Sequence, residues 1–158
     1  MCSTIKMARF ATFLICAVLA AAVSTSPLGS VKEEVIVVKD INDYLSQHPT
    51  AELTPLSKEA NLGVIRYTLG DRIGGDRLID TARNSHNYPT LQNVKLTLTY
   101  PSQGIGNVVT FVEIVVNQSS NKGNAYVVRG GIGQRFITIV VEACEVYSFS
   151  YVASFFGY

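Results

Sequence analysis

The chain has 158 residues, 47% of them hydrophobic and 16% charged, with a formal net charge of +1. That length suits one domain with a core that needs no covalent staples. The near-neutral balance, without a basic stripe or polybasic run, leaves no footprint for direct nucleic-acid contact or for anionic lipid.

Residues 1–24 have the pattern of a cleaved export signal. Lys6 and Arg9 form a positive lead, and Phe10 to Val23 is an apolar run of 14 residues broken only by Thr12. Ala22-Val23-Ser24 supplies the small residues a signal peptidase prefers, which predicts cleavage after Ser24, with Ser26 as the alternative. Met7 offers an alternative start. The apolar run is short of the roughly 20 residues that a membrane-spanning helix needs, so a retained anchor is disfavoured. Cleavage takes Lys6 and Arg9 with it and leaves Thr25 to Tyr158, 134 residues with 11 basic and 12 acidic side chains. Cys2 and Cys16 leave as well, so Cys144 is the one thiol remaining and has no intrachain partner. Its neighbours Glu142 and Glu145 would raise its pKa, which argues against a catalytic thiolate and for a partly buried, unpaired residue.

Residues 25–60 form a variable N-terminal segment. Val31 to Val38 suits a strand. Asp40 is placed as a helix N-cap, Ile41, Tyr44, Leu45 and His48 follow at helical spacing, and Pro49 ends the short helix. Pro49 to Glu59 has linker composition, and the segment reads equally as a pro-segment or an added edge of the domain.

The domain proper is expected over 61–158. Val64, Ile65, Tyr67 and Leu69 suit a half-buried strand. Gly70-Asp71 and Gly74-Gly75-Asp76 are turn chemistry, and Arg72 and Arg77 alternate there with Asp71, Asp76 and Asp80. Guanidinium forks can grip a carboxylate, phosphate or sulfate. The weightier reading is a turn held by Arg–Asp pairs. Leu78-Ile79 then makes a short strand, and the stretch from Thr81 to Thr90 reads as a loop closed by Pro89. Leu91 to Tyr100 alternates, with Val94, Leu96, Leu98 and Tyr100 on one face. Val108 to Val116 is a central strand whose Glu113 is set on the outer face. Asn117-Gln118-Ser119 opens a polar loop and is a glycosylation acceptor if the chain is exported. A short strand from Ala125 to Val128 leads to a turn at Gly130, Gly131 and Gly133, and Phe136 to Val141 and Val146 to Phe156 read as two further strands. Tyr147, Phe149 and Tyr151 share a face at period two, more often a core face than a sugar-stacking platform. Short strands at this spacing, divided by Gly and Asn turns, predict an all-β fold: an antiparallel β-sandwich of about seven strands with the short helix before it.

No catalytic or metal constellation stands out. The Gly130 run lacks the Lys-Ser/Thr ending of a phosphate loop, His48 and His86 lack ligand spacing, and no Gly-x-Ser-x-Gly elbow occurs. A carboxylate pair for glycoside hydrolysis stays open, since only folding shows which acids approach. No cofactor is implied.

The pattern Tyr67-Thr68-Leu69-Gly70, Arg72, Gly75-Asp76-Arg77-Leu78 resembles the insect multiprotein bridging factor 2 family. So do Arg129-Gly130-Gly131-Ile132-Gly133 with the strand Phe136 to Val141, and the ending Phe156-Gly157. Glu142 to Glu145 replaces that family's usual polar, glycine-containing lead-in to the last strand. Many of its members are labelled probable salivary secreted peptides. The resemblance implies either an exported, extracellular non-enzymatic protein that binds a protein or small molecule, or a nuclear or cytoplasmic coactivator bridging a DNA-bound activator and the general transcription machinery. A small secreted hydrolase is the third reading. After cleavage of the signal, no membrane contact is expected.

Overall fold

The computed structural model describes residues 29–39 and 53–158. The expected signal and the expected helix after Asp40 lie outside the described residues. Within them the protein is all β, and eight strands join in one antiparallel sheet. In chain order they are β1 (Lys32–Val38), β2 (Thr54–Pro55), β3 (Ser57–Asn61), β4 (Val64–Gly70), β5 (Arg77–Tyr100), β6 (Val109–Gln118), β7 (Gly123–Gly130) and β8 (Ile137–Gly157).

The sheet is organised around β8. One flank pairs with β5 from end to end, and the other pairs first with β7 and then with β6. β1 adds to the second half of β5, β2 to β7, and β4 then β3 extend the sheet beyond β6. The long strands are not straight. Tyr100 sits opposite Ile137 at the start of β8, and Phe155 lies near its end. In a straight strand those levels would be about 60 Å apart at roughly 3.3 Å per residue. The Tyr100 and Phe155 rings instead stack with centroids 5.9 Å apart, so β5 and β8 fold over together and bring the two halves of the sheet face to face.

The bend lies at Glu145, which has a positive φ of 56°, and opposite it the β5–β8 register slips between Asn87 and Val94. The inner faces of both halves form one core. Val94, Leu96, Leu98, Ile137, Ile139 and Val141 come from the first half; Ile65, Tyr67, Ile114, Phe149, Tyr151 and Phe155 come from the second. Leu56, between β2 and β3, also enters this core, and the chain crosses there from β7 in the first half to β4 in the second.

Several expectations change. Two separate sheets are replaced by one sheet folded on itself. The stretch from Thr81 to Thr90 is strand, not loop, because the second half of β8 gives it a ladder partner along 148–154. Pro89 falls between the paired residues Asn87 and Gln92, where its missing N–H costs no ladder bond. Phe136 to Val141 and Val146 to Phe156 are not two strands divided at Glu142; β8 runs through, with an irregularity from Glu145 to Tyr147. That irregularity also splits the aromatic stripe: Phe149 and Tyr151 are in the core, while Tyr147 is 51% exposed. The linker-like stretch before Glu59 contains β2 and the start of β3.

Two outcomes follow. Leu62, at the β3–β4 hairpin tip, is 97% exposed yet holds a positive φ of 45°, next to Gly63 at 82°. Such φ values costs a branched residue about 1–2 kcal/mol, whereas Asn-Gly suits this turn. Leu62→Asn should therefore raise stability by about 1 kcal/mol in urea melts. Phe155→Ala, which empties the contact between the halves, should lower it by about 3–5 kcal/mol.

Candidate functional site

Two glycine turns are built alike. In the first, the Asp76 N–H donates to the Ile73 carbonyl at 3.2 Å, and in the second the Gln134 N–H donates to the Gly131 carbonyl at 3.2 Å. Each has glycine at the third position with positive φ, 88° at Gly75 and 79° at Gly133, which needs no Cβ.

The first turn is fastened by Asp76. Its carboxylate accepts from Arg72 at 2.8–3.0 Å through both Nε and Nη2, from the Ile73 N–H at 3.1 Å and from the Thr110 hydroxyl at 3.0 Å. The Asp76 side chain is only 2% exposed. Arg72, opposed by burial and helped by the Ile73 and Thr110 bonds, holds the carboxyl down from its ordinary 3.8 to about 2. The Arg72 guanidinium in turn lies 3.9 Å from the centroid of the Phe156 ring, which itself leans on Phe111 at 5.8 Å.

The second turn is tied to the start of β6. Gly133 N–H donates to Val109 O at 2.8 Å, and Val109 N–H donates to Gln134 O at 2.9 Å. The two turns then meet. A Cβ on Gly70 would sit 2.3 Å from the Thr110 carbonyl and 2.8 Å from Ile132 Cδ1, so only glycine lets them close. At the seam is an open cavity of about 270 Å³ whose lining includes Gly70, Ile73, Val109, Ile132, Gly133 and Tyr158. Ile73, Ile132 and Tyr158 keep exposed apolar surface around it. The backbone of Tyr158 is pinned to Val108 by a reciprocal pair of hydrogen bonds at 2.8 and 3.1 Å.

The structure thus brings Gly70, Arg72, Gly75, Asp76, Gly130, Gly131 and Gly133 to one end of the molecule. Arg77 and Leu78 open β5 beside them, opposite Gly157 and Phe156, both exposed. Tyr67 is elsewhere, deep in the core; its buried hydroxyl has no hydrogen-bond partner among the described residues, and burial raises its pKa. Asn117 is exposed at the end of β6. Cys144 is unpaired and half-buried, with its thiol pushed up by burial and then by Glu142 and Glu145. Glu113 pairs with Arg66 on the outer face.

Sequence reasoning missed Thr110, the third partner of Asp76, and Ile73, Ile132 and Tyr158. A hydroxyl at a strand start and single apolar residues in turns carry no local signal of such roles. It also missed that Glu142 is buried, opposite Lys95 on β5, with its pKa raised by burial. Chemically, a carboxylate with four donors and a pKa near 2 is a fastener rather than a proton donor. Among the described residues, no group of three or more His, Cys, Asp or Glu is placed to hold a metal ion.

A family model described as transcription activator MBF2 matches residues 69–157. The match contains both turns and begins two residues after Tyr67. No curated protein and no solved structure shows significant similarity to the chain.

The lowered pKa of Asp76 has a sign. Its ionised form stabilises the fold fully above about pH 4, the unfolded value, and that contribution is lost as pH falls towards about 2. Urea midpoints measured from pH 5 to pH 2 should therefore drop more steeply for the native chain than for Asp76→Asn, which starts lower and has no such carboxyl to titrate. Parallel curves would remove Asp76 from this role.

Proposed function

The chain belongs to the MBF2 family, and on that premise we propose that it is an exported, non-enzymatic β-protein that acts by binding a protein partner through the end where the two turns meet. The observation that carries this reading is the seam itself: two turns locked by Asp76 and Gly70, with Ile73, Ile132 and Tyr158 left exposed beside them. A rigid apolar rim of this kind offers a partner contact area at little ordering cost. The signal-like residues 1–24 support export, as with the salivary secreted peptides that the motifs resemble. In this reading the protein needs no cofactor, touches no nucleic acid directly and leaves the membrane once its signal is removed.

A second reading is favoured by the family description. As a transcription coactivator, the protein would work in the nucleus and use the same end to bridge an activator to the general machinery. Contacts with proteins alone would suffice for that role, so the near-neutral charge does not oppose it.

Compartment separates the two. Expressed in insect cells with a C-terminal tag, the chain should be recovered from the medium with an intact mass that starts at Thr25. An uncleaved chain concentrated in nuclei would reverse the ranking. In either compartment, Ile132→Ser combined with Tyr158→Ser should weaken binding of a captured partner at least tenfold while leaving the melting temperature near that of the native chain.

A further inference from the structure

The residues outside the seam include a second built surface. In β6, Val112, Ile114 and Val116 face the core, so Glu113, Val115 and Asn117 face outward. Across the ladder Val115 lies opposite Val152, and Asn117 opposite Ser150. One strand further, Val152 lies opposite Arg83 and Ser150 opposite Ser85. These six residues line an open groove of about 410 Å³ on the outer face of the second half of the sheet. Its volume falls at the low end of the roughly 300–1,000 Å³ range of small-molecule sites.

The groove has two characters. Its floor is the Val115–Val152 pair, with Val152 still 45% exposed. Its rim is polar: the Ser85 and Ser150 hydroxyls, and the guanidinium of Arg83, whose alkyl stem can lie along the floor. A pyranose ring has the same division, with C–H groups on its faces and hydroxyls at its edge. At the rim stands Asn117, the acceptor of an Asn-Gln-Ser sequon, with its side chain on this face.

We propose that this groove is the seat of an N-linked glycan carried on Asn117, so that the first sugars cover Val115 and Val152 on the outer face. The inference rests on the export reading, since the modification occurs in the secretory pathway. The donor is a lipid pyrophosphate-linked oligosaccharide. The Asn117 amide nitrogen forms a bond to the anomeric carbon, the bond from that carbon to the pyrophosphate oxygen breaks, the lipid pyrophosphate leaves, and the amide gives up one proton. The sugar is attached before the sheet closes, and folding then lays it along the groove.

The test uses the full chain made in insect cells twice, once with its own residues 1–24 and once with these replaced by a proven export leader. Peptide mapping by mass spectrometry reads Asn117. Both forms should leave the cell with an N-acetylhexosamine-based glycan there. In isotope-labelled protein the methyl groups of Val115 and Val152 should show nuclear Overhauser contacts to sugar protons. The glycosylated chain should melt several degrees above Asn117→Gln, and most of that gap should vanish in a Val152→Ser background, where circular dichroism checks that the sheet is intact. An exported chain left unmodified at Asn117 would overturn the proposal while sparing the export reading. A glycan without methyl contacts, or with a gap unchanged by Val152→Ser, would overturn the seating. Retention of the own-leader form inside the cell, beside an exported foreign-leader form with a seated glycan, would sink the export reading and uphold the groove.

Discussion

The bend of β8 at Glu145 is the constraint on which the rest of the structure depends. A bend takes backbone groups out of the ladder, and buried ones left unpaired would be costly. Here four of them find partners in neighbouring segments. Cys144 N–H donates to Lys122 O at 3.0 Å, the Ser120 hydroxyl donates to Cys144 O at 2.7 Å, Glu145 N–H donates to Asn93 Oδ1 at 3.0 Å, and Tyr147 N–H donates to Ser119 Oγ at 2.8 Å. Lys122 also pairs with the Glu145 carboxylate. The polar residues between β6 and β7 are therefore a clamp on the bend as well as a surface loop. Glu145 occupies a positive φ that few non-glycine residues accept, and this clamp is what holds it there.

Folding β5 and β8 over on themselves does two things at once. It makes one sheet supply both faces of the core, so no second sheet is needed to bury Tyr100, Phe149 and Phe155. It also brings the two ends of β8 together. The Gly131 turn precedes the start of β8, and the Gly75 turn lies near its finish, opposite β8 through Arg77 and Gly157. In a flat sheet these turns would be at opposite extremes. The contact of Gly70 with Ile132, and with it the apolar seam, exists because the strand doubles back. The seam between the two turns and the core are two consequences of the same bend.

At that end, charge serves shape. Arg72 and Asp76 satisfy one another in a fork geometry, and Thr110 and the Ile73 amide complete the carboxylate's shell. Beside the fork, Ile73, Ile132 and Tyr158 keep exposed apolar surface. On the outer face of the sheet the balance differs: valines form a short strip between serines, a composition that suits a sugar better than a protein core.

Much was legible in the sequence. The alternation of Val94, Leu96, Leu98 and Tyr100 placed a core face correctly, because a period of two exposes one side of a strand whatever the fold. Glycines marked both turns and aspartates the first, since positive φ and side-chain capping are local demands. Arg–Asp pairing in the first turn was legible from the alternation of arginines and aspartates, and the structure selected Arg72 with Asp76. The stretch from Thr81 to Thr90 was misleading because its polar residues lie on a strand beside β8, and local composition cannot reveal a partner some 60–70 residues away. The run of Glu142 to Glu145 looked like a break for a similar reason: Glu142 is buried opposite Lys95, and Glu145 is held by residues from two other segments. What the sequence determined by itself was therefore the all-β character, the core face of the strand ending at Tyr100 and the two glycine turns, all governed by steric and solvation rules within a few residues. What only the tertiary structure decided was the doubling of β8 and the meeting of the two turns, because both rest on hydrogen bonds and van der Waals contacts between residues far apart in the chain.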